Sequence, residues 1–165
     1  MGAKQLMMGI TTNIRQAVEN DMPHLLCLAE IEYNLFDQRA PFSPEMTEHY
    51  IRMIMGDPQS LGIVIEDKYR IPFGFLSGTI THIDLSTEPT AMIQHWFVNN
   101  PNHRYGHKHY GLDLVRAFES WANQHQCQKL TLGIRMNPEH RRAYDRTFAK
   151  LGYTPNYVYY SKELV

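Results

Sequence analysis

The segment AMIQHWFV at residues 91–98 constrains the fold more than any other stretch of the chain. Strand alternation puts Ala91, Ile93, His95 and Phe97 on one face and Met92, Gln94, Trp96 and Val98 on the other, and both faces are mainly apolar. A strand apolar on both faces needs a covering layer on each side, so it belongs in the middle of a sheet. Helical periodicity follows over 110–125, with Leu114, Val115, Phe118, Trp121 and Ala122 on one face, and KLTLGIRM at 129–136 reads as the next strand. Strand, helix and strand in that order predict a right-handed crossover between parallel strands.

Residues 1–10 read as an irregular, disordered leader, and the first strand falls at about Thr12 to Val18. From Asp21, a good helix cap, Met22, Leu25, Leu26, Ala29, Tyr33 and Phe36 keep helical spacing, with Pro23 in the first turn. Ser43, Pro44 and Glu45 start a second helix that runs to about Met55, before Gly56, Asp57 and Pro58 stop it; 37–43 is the loop between. LGIVIEDKYRIPFGFLSGTITHID predicts an antiparallel hairpin turning near Asp67 and Lys68, and Ser86 to Thr90 is a loop. Asn137, Pro138 and Glu139 open a last helix carrying Ala143, Tyr144, Thr147, Phe148 and Leu151, ended by Gly152, and YTPNYVYYSKEL reads as a final strand. The order βααβββαβαβ holds one clear parallel crossover, which disfavours a doubly wound sheet and gives a mixed α/β, α+β-like class. With no repeat or linker in a chain of 165 residues, 11–165 reads as a single domain.

Composition narrows the function. Hydrophobic residues at 43% and charged residues at 20% supply a sizeable core and exclude a disordered scaffold. Sixteen basic against seventeen acidic side chains leave a net charge of -1, so no global positive field favours nucleic acid or an anionic membrane. Arg141, Arg142 and Arg146 share a helix with acidic neighbours, and no aromatic RNA-binding motif is present. No apolar run reaches membrane-spanning length, and the opening lacks the apolar stretch of a secretory signal, so a cytoplasmic location is expected. Cys27 and Cys127 are too few for a disulfide framework and read as reduced.

The stretch NNPNHRYGHKHYG joins the carboxyl end of the central strand to the amino end of a helix, where free N–H groups and the helix dipole favour a phosphate. Gly106 and Gly111 allow close backbone approach to a ligand, and Arg104 and Lys108 add positive charge. A solvated loop with incidental basic residues is the alternative. His103, His107 and His109 also cluster here, but without a nearby thiolate no metal is expected, and a metal-binding protein stays as a lesser alternative.

From NIRQAVENDMPHLLCLAE to LGYTPNYVYY the chain is similar to the GNAT superfamily of acyl-CoA-dependent N-acyltransferases. AMIQHWFV, the Pro-x-x-Arg segment from Pro101 to Arg104, the helix ending FESWA and then LTLGIRMNPEHRRAYDRTFAKLGY resemble its cofactor-binding half in order. The superfamily's loop pattern, Gln/Arg-x-x-Gly-x-Gly/Ala, falls on Gly106, His109 and Gly111 when counted back from FESWA, while Pro101 puts the Arg at Arg104. A two-residue insertion in the loop reconciles the two registers. The resemblance implies a central mixed, mostly antiparallel sheet with one parallel strand pair at the cofactor site, flanked by about four helices.

It further implies acetyl-CoA as co-substrate, with its pyrophosphate on Arg104, Tyr105, Gly106, His107, Lys108, His109, Tyr110 and Gly111. The pantetheine arm would lie along Trp96, Phe97 and Val98, and the thioester between the splayed parallel strands. Asn137, Tyr144 and Phe148 complete the cofactor set. A lysine-like amine, pKa about 10.4, is roughly a thousandfold short of free base at neutral pH. His95 therefore reads as general base, with Gln94 orienting it, or else as a hydrogen-bonded core histidine. Met92 stands where the superfamily often has a carboxylate, and Phe148 where it has a proton-donating Tyr, so Tyr144, one turn earlier, is the substitute acid or a packing residue. The acceptor site is expected from the loop with Phe36 and Asp37 and from the tail aromatics Tyr157, Tyr159 and Tyr160, Asp37 attracting a cationic small-molecule or peptide amine. Transfer is expected to be direct, in a ternary complex, because neither cysteine has the setting of an activated nucleophile. An acyl-CoA-binding module without turnover is the alternative, and a homodimer, frequent in the superfamily, is compatible with the chain.

Overall fold

The predicted central strand is β4, Pro89–Val98, in a five-stranded sheet of order β1-β2-β3-β4-β5. The other strands are β1, Ile14–Gln16, β2, Ser60–Glu66, β3, Pro72–His82, and β5, Lys129–Leu132. The helices are α1, Met22–Leu35, α2, Pro44–Gly56, α3, Tyr110–Gln124, and α4, Arg141–Lys150. The computed structural model describes residues 13–35, 40–82, 87–99, 110–133 and 141–155. The leader, and the final strand beyond Pro155, lie outside them. Successive strands pair antiparallel except β4 and β5, which run parallel from Thr90↔Lys129 to Ile93↔Leu132, as the crossover through α3 predicts.

Local chemistry explains the element boundaries. Ser43 caps α2, its Oγ accepting from the Met46 N–H at 3.3 Å with Pro44 in the first position, and the Asp57 N–H closes the far end on the Met53 carbonyl at 3.1 Å. Asp67 turns the β2–β3 hairpin by accepting from the Tyr69 and Ile71 N–H groups at 2.8 and 2.9 Å.

Along β4 the pairing contains an irregularity that sequence alternation does not show. Gly78 stands opposite Ile93 and Ser77 opposite His95, so Gln94 is an extra residue on β4. One inserted residue reverses the alternation beyond it. Residues directly opposite share a face, so Ala91, Ile93 and Trp96 lie on one side with Ile80, Gly78 and Leu76. Met92, His95 and Phe97 lie on the other with Thr79, Ser77 and Phe75. The expected grouping of His95 and Phe97 with Ala91 and Ile93 is thus corrected.

Each face has its own cover. Phe118 of α3 presses on Gly78, where an added Cβ would meet its Cζ at 2.5 Å. Ile63, Leu76, Ile93, Leu114, Val115 and Phe118 are fully buried, each burial contributing about 1.5–3 kcal/mol. On the opposite face Val64 packs with Ala17 and Leu25, with Ile51, Met55 and Phe75 against them. The chain divides into two compact units, Met1–Ile134, which holds this sheet, and Arg135–Val165, which holds α4. In the second, α4 ends with Gly152 at φ +85° and the Tyr153 N–H on the Phe148 carbonyl at 2.9 Å.

Asp21 does something other than the expected capping of α1. It closes a 3-10 turn, Glu19–Asp21, by accepting from the Val18 N–H at 2.9 Å. The same carboxylate takes a two-pronged bond from Arg15 at 2.7 and 2.8 Å, and Arg15 Nε reaches Glu66 at 2.7 Å. Burial is the largest influence on Asp21 and opposes its charge, but the bonds from Arg15 and Val18, with the Arg15 charge, outweigh it and hold the carboxyl below its ordinary range. A depressed folded pKa contributes stability that is present above the unfolded value of about 3.9 and is lost as pH falls through the folded value. Urea unfolding should therefore show wild-type stability declining with acid below about pH 4. Asp21→Asn should be less stable by about 1–3 kcal/mol at pH 7 and show a shallower acid decline; equal acid slopes would remove Asp21 from the account.

Candidate active site

The inserted residue in β4 turns two consecutive side chains, Gln94 and His95, outward, and both are exposed. The His95 side chain is 47% accessible, which rules out the core-histidine alternative. Its Nδ1 lies 4.0 Å from Oε2 of Glu32 on α1, and its ring stands edge-on to Tyr50 of α2, with centroids 5.1 Å apart. Tyr50 donates to Gln94 Oε1 at 2.8 Å, which commits its single proton, so Ser77 Oγ at 3.1 Å donates to the phenol oxygen. Burial, the largest influence, and the charge of Glu32 push the Tyr50 phenol up, against the bond from Ser77, so it stays neutral and a donor. Gln94, expected to orient His95 directly, instead fixes the tyrosine that packs against it.

Glu32, Tyr50 and Ser77 were not among the residues expected from sequence. A signal for Glu32 was present: it falls four residues after Leu28 and seven after Leu25, both buried, so it continues the inward stripe of α1. A carboxylate on such a stripe needs a partner. Tyr50 likewise precedes the buried Ile54 by one turn of α2.

A second group forms where β4 meets α3. The described β4–β5 pairing ends at Ile93↔Leu132, with the Gly133 N–H on the Ile93 carbonyl at 3.3 Å, and β4 continues to Val98. Trp96 Nε1 donates to the Gly111 carbonyl at 2.9 Å, which ties the first turn of α3 to the strand. The indole fills the space that a Cβ on Gly111 would need, 2.7 Å from Cζ2. The absent side chain at 111 thus admits Trp96. Tyr110 packs edge-on to Phe73 at 5.2 Å, Phe97 lies 6.4 Å from Phe75, and Val98 pairs with Gly74. In the first turn of α3 the Asp113 carboxylate meets Arg116 at 3.4 Å, which offsets its unfavourable charge toward an anion.

Of the expected site residues, His95, Trp96, Phe97, Val98, Tyr110 and Gly111 come together on β4 and the start of α3. Tyr144 and Phe148 belong to the unit of α4, where their rings stack at 6.3 Å and 12°, and Phe148 meets Tyr153 edge-on at 5.4 Å. Arg104, Tyr105, Gly106, His107, Lys108, His109, Asn137, Phe36, Asp37, Tyr157, Tyr159 and Tyr160 lie outside the described residues, as does His103. Among the described residues no group of three or more His, Cys, Asp or Glu is placed to hold a metal, and no helix is long and apolar enough to cross a membrane. An open groove of about 400 Å³ lies elsewhere, at the β1 edge, lined by Arg15, Asp21, His24 and Arg70 among others.

This architecture is that of solved acetyltransferases. An aminoglycoside 6'-N-acetyltransferase from Acinetobacter haemolyticus is 20% identical with a TM-score of 0.66, over 93% of this chain and 99% of that one. Glucosamine-6-phosphate N-acetyltransferase from Arabidopsis thaliana is 18% identical with a TM-score of 0.68, over 94% and 100%. An aminoglycoside N-acetyltransferase solved in complex with CoA is 16% identical with a TM-score of 0.70, over 94% and 97%. No family model matches the chain, and no curated protein matches it. The fold is therefore that of the GNAT acetyltransferases: a mixed sheet with one parallel pair and flanking helices.

The contact between Trp96 and residue 111 is directly testable. Gly111→Ala should destabilise the protein by about 1–3 kcal/mol in urea unfolding, because the indole must move. In a Trp96→Phe background the same substitution should cost less, and an unchanged cost in that cycle would locate the strain elsewhere.

Proposed function

We propose that this chain is an acyl-CoA-dependent N-acetyltransferase, with residues 11–165 acting as one domain, that moves an acetyl group directly to a primary amine in a ternary complex. The observation that carries the reading is the extra residue in β4. It turns His95 out of the sheet beside the place where the described β4–β5 pairing ends. The full-length likeness to N-acetyltransferases supports it.

The residues present fit the co-substrate. Thr131 Oγ1 on β5 is buried without a hydrogen-bond partner, and Thr131 pairs with Met92, on the sheet face that carries His95. An unmet buried hydroxyl of this kind costs about 1–3 kcal/mol and suits an amide-bearing ligand. The start of α3, with Asp113 offset by Arg116, suits phosphate. Trp96, Phe97, Val98, Tyr110 and Gly111, together with Arg104, Tyr105, Gly106, His107, Lys108 and His109, would hold acetyl-CoA, and Asn137 and Phe148 would add contacts. Acetyl-CoA supplies an acetyl group activated as a thioester.

His95 takes the proton that an ammonium must lose before it can attack, since an imidazole of ordinary pKa about 6.5 is mostly free base at neutral pH. Tyr144 Oη holds a proton for the departing sulfur. Burial pushes the Cys127 thiol up, the opposite of an activated nucleophile, which favours direct transfer over an acyl-enzyme. The acceptor is a small-molecule or peptide amine, with Phe36, Asp37, Tyr157 and Tyr159 lining its site, and the setting is cytoplasmic. Met92 and Phe148, standing where the superfamily has its carboxylate and its tyrosine, favour a second reading, an acyl-CoA-binding module without turnover.

Calorimetric titration of untagged protein with acetyl-CoA should give saturable one-to-one binding that weakens with dephospho analogues, and a panel of primary amines should reveal transfer. His95→Ala should lower kcat by about 10²–10⁴-fold while acetyl-CoA affinity holds. Binding without transfer to any amine selects the binding module. No binding at millimolar ligand removes both readings.

A further inference from the structure

On the transferase reading His95 must accept a proton and become an imidazolium beside the acceptor, and its surroundings on the first two helices are arranged around that charge. We infer that Glu32 is a positioning residue for His95, its carboxylate placed to stabilise the imidazolium that forms when the acceptor ammonium gives up its proton. This inference rests on the function proposed above.

Three observations carry it. The Glu32 side chain is only 18% accessible, against 47% for His95, so the pair has a sheltered carboxylate and an imidazole that reaches solvent. Their separation of 4.0 Å is an ion-pair distance longer than a direct hydrogen bond, as befits a partner of neutral imidazole that tightens once the ring is charged. The Tyr50 ring stands against His95, and its hydroxyl is held by both Ser77 and Gln94, so the tyrosine is a fixed wall for the imidazole.

The titratable groups that face His95 include Glu32 from α1 and Tyr50 from α2, and Ser77 and Gln94 on the sheet are uncharged. Tyr50 is pushed up, chiefly by burial, and stays neutral, so of these two groups Glu32 is the charged one. The proton balance is simple. One N–H bond of the ammonium breaks as one N–H bond forms on the imidazole. The free amine then forms its C–N bond to the acetyl carbon while the C–S bond of the thioester breaks, the second amine proton ending on the departing sulfur, and after product leaves the imidazolium returns its proton to water.

The test begins without any ligand. The His95 ring resonance, assigned by its loss in His95→Ala, is titrated by NMR in wild type and in Glu32→Gln. The apparent pKa should fall by about half a unit or more when the carboxylate is removed. With an acceptor identified, the acidic limb of kcat/KM should move to lower pH in Glu32→Gln, with a loss of rate at pH 8. Glu32→Asp should restore most of that rate, and its NMR titration should fall between the other two, which also serves if the Gln variant does not fold. A purely structural role for Glu32 would lower activity without moving either titration. Identical His95 titrations in wild type and Glu32→Gln overturn the inference. A shifted titration with no transfer to any amine instead overturns the transferase reading and, with it, the catalytic role of Glu32.

Discussion

One extra residue in β4 decides what the two faces of the sheet carry. Before Gln94 the strand sends Ile93 into the side covered by Phe118 of α3, and after it the strand sends Trp96 to the same side. Unbroken alternation would have put His95 there in place of Trp96. An imidazole would then have met a packed apolar layer, and Trp96 would have lost its bond to Gly111. The insertion keeps the apolar face apolar and brings His95 to the side of Gln94, Glu32 and Tyr50. Opposite the extra residue β3 presents Ser77 and Gly78, one a hydrogen-bond partner of Tyr50 and the other small enough to admit Phe118.

The same economy governs the junction of β4 with α3. Trp96 fills the space above Gly111 and spends its indole N–H on the Gly111 carbonyl, while Tyr110 and Phe97 are engaged with Phe73 and Phe75. Among the described residues, Trp96, Phe97 and Tyr110, expected to meet a cofactor, are therefore engaged in packing. On the proposed reading, recognition at this end falls to backbone groups of the strand and of the helix start, which need geometry more than side-chain identity. That accounts for how a loop with few of the superfamily's side chains is compatible with its fold.

Most of the architecture was legible because its determinants are local. Ser43 and Pro44 announce α2, Asp67 announces the hairpin turn, and an apolar strand followed by an amphipathic helix and a second strand announces the parallel pair. The errors occur where the folded geometry, and not the local pattern, decides. Asp21 has the sequence context of a cap, but Arg15, brought beside it by β1, claims its carboxylate. The bulge was invisible because both faces of AMIQHWFV are apolar, so nothing in the pattern marks where the phase changes. His95 was found by its residue type and strand, whereas Glu32 and Tyr50 come from two helices and meet it only when the fold is formed.

The placement of Met92 connects these points. It occupies the position where the resembling superfamily often has a carboxylate, and the register puts it on the same face as His95. A methionine there cannot accept a proton or offset a positive charge. Glu32 approaches that face from α1, and its charge reaches both His95 at 4.0 Å and the Tyr50 phenol. On the proposed reading, the base comes from the strand and its counter-charge from the helix. Dividing the work in this way lets the imidazole remain accessible to an acceptor while the carboxylate stays sheltered, where its field is less screened by solvent than that of an exposed acid.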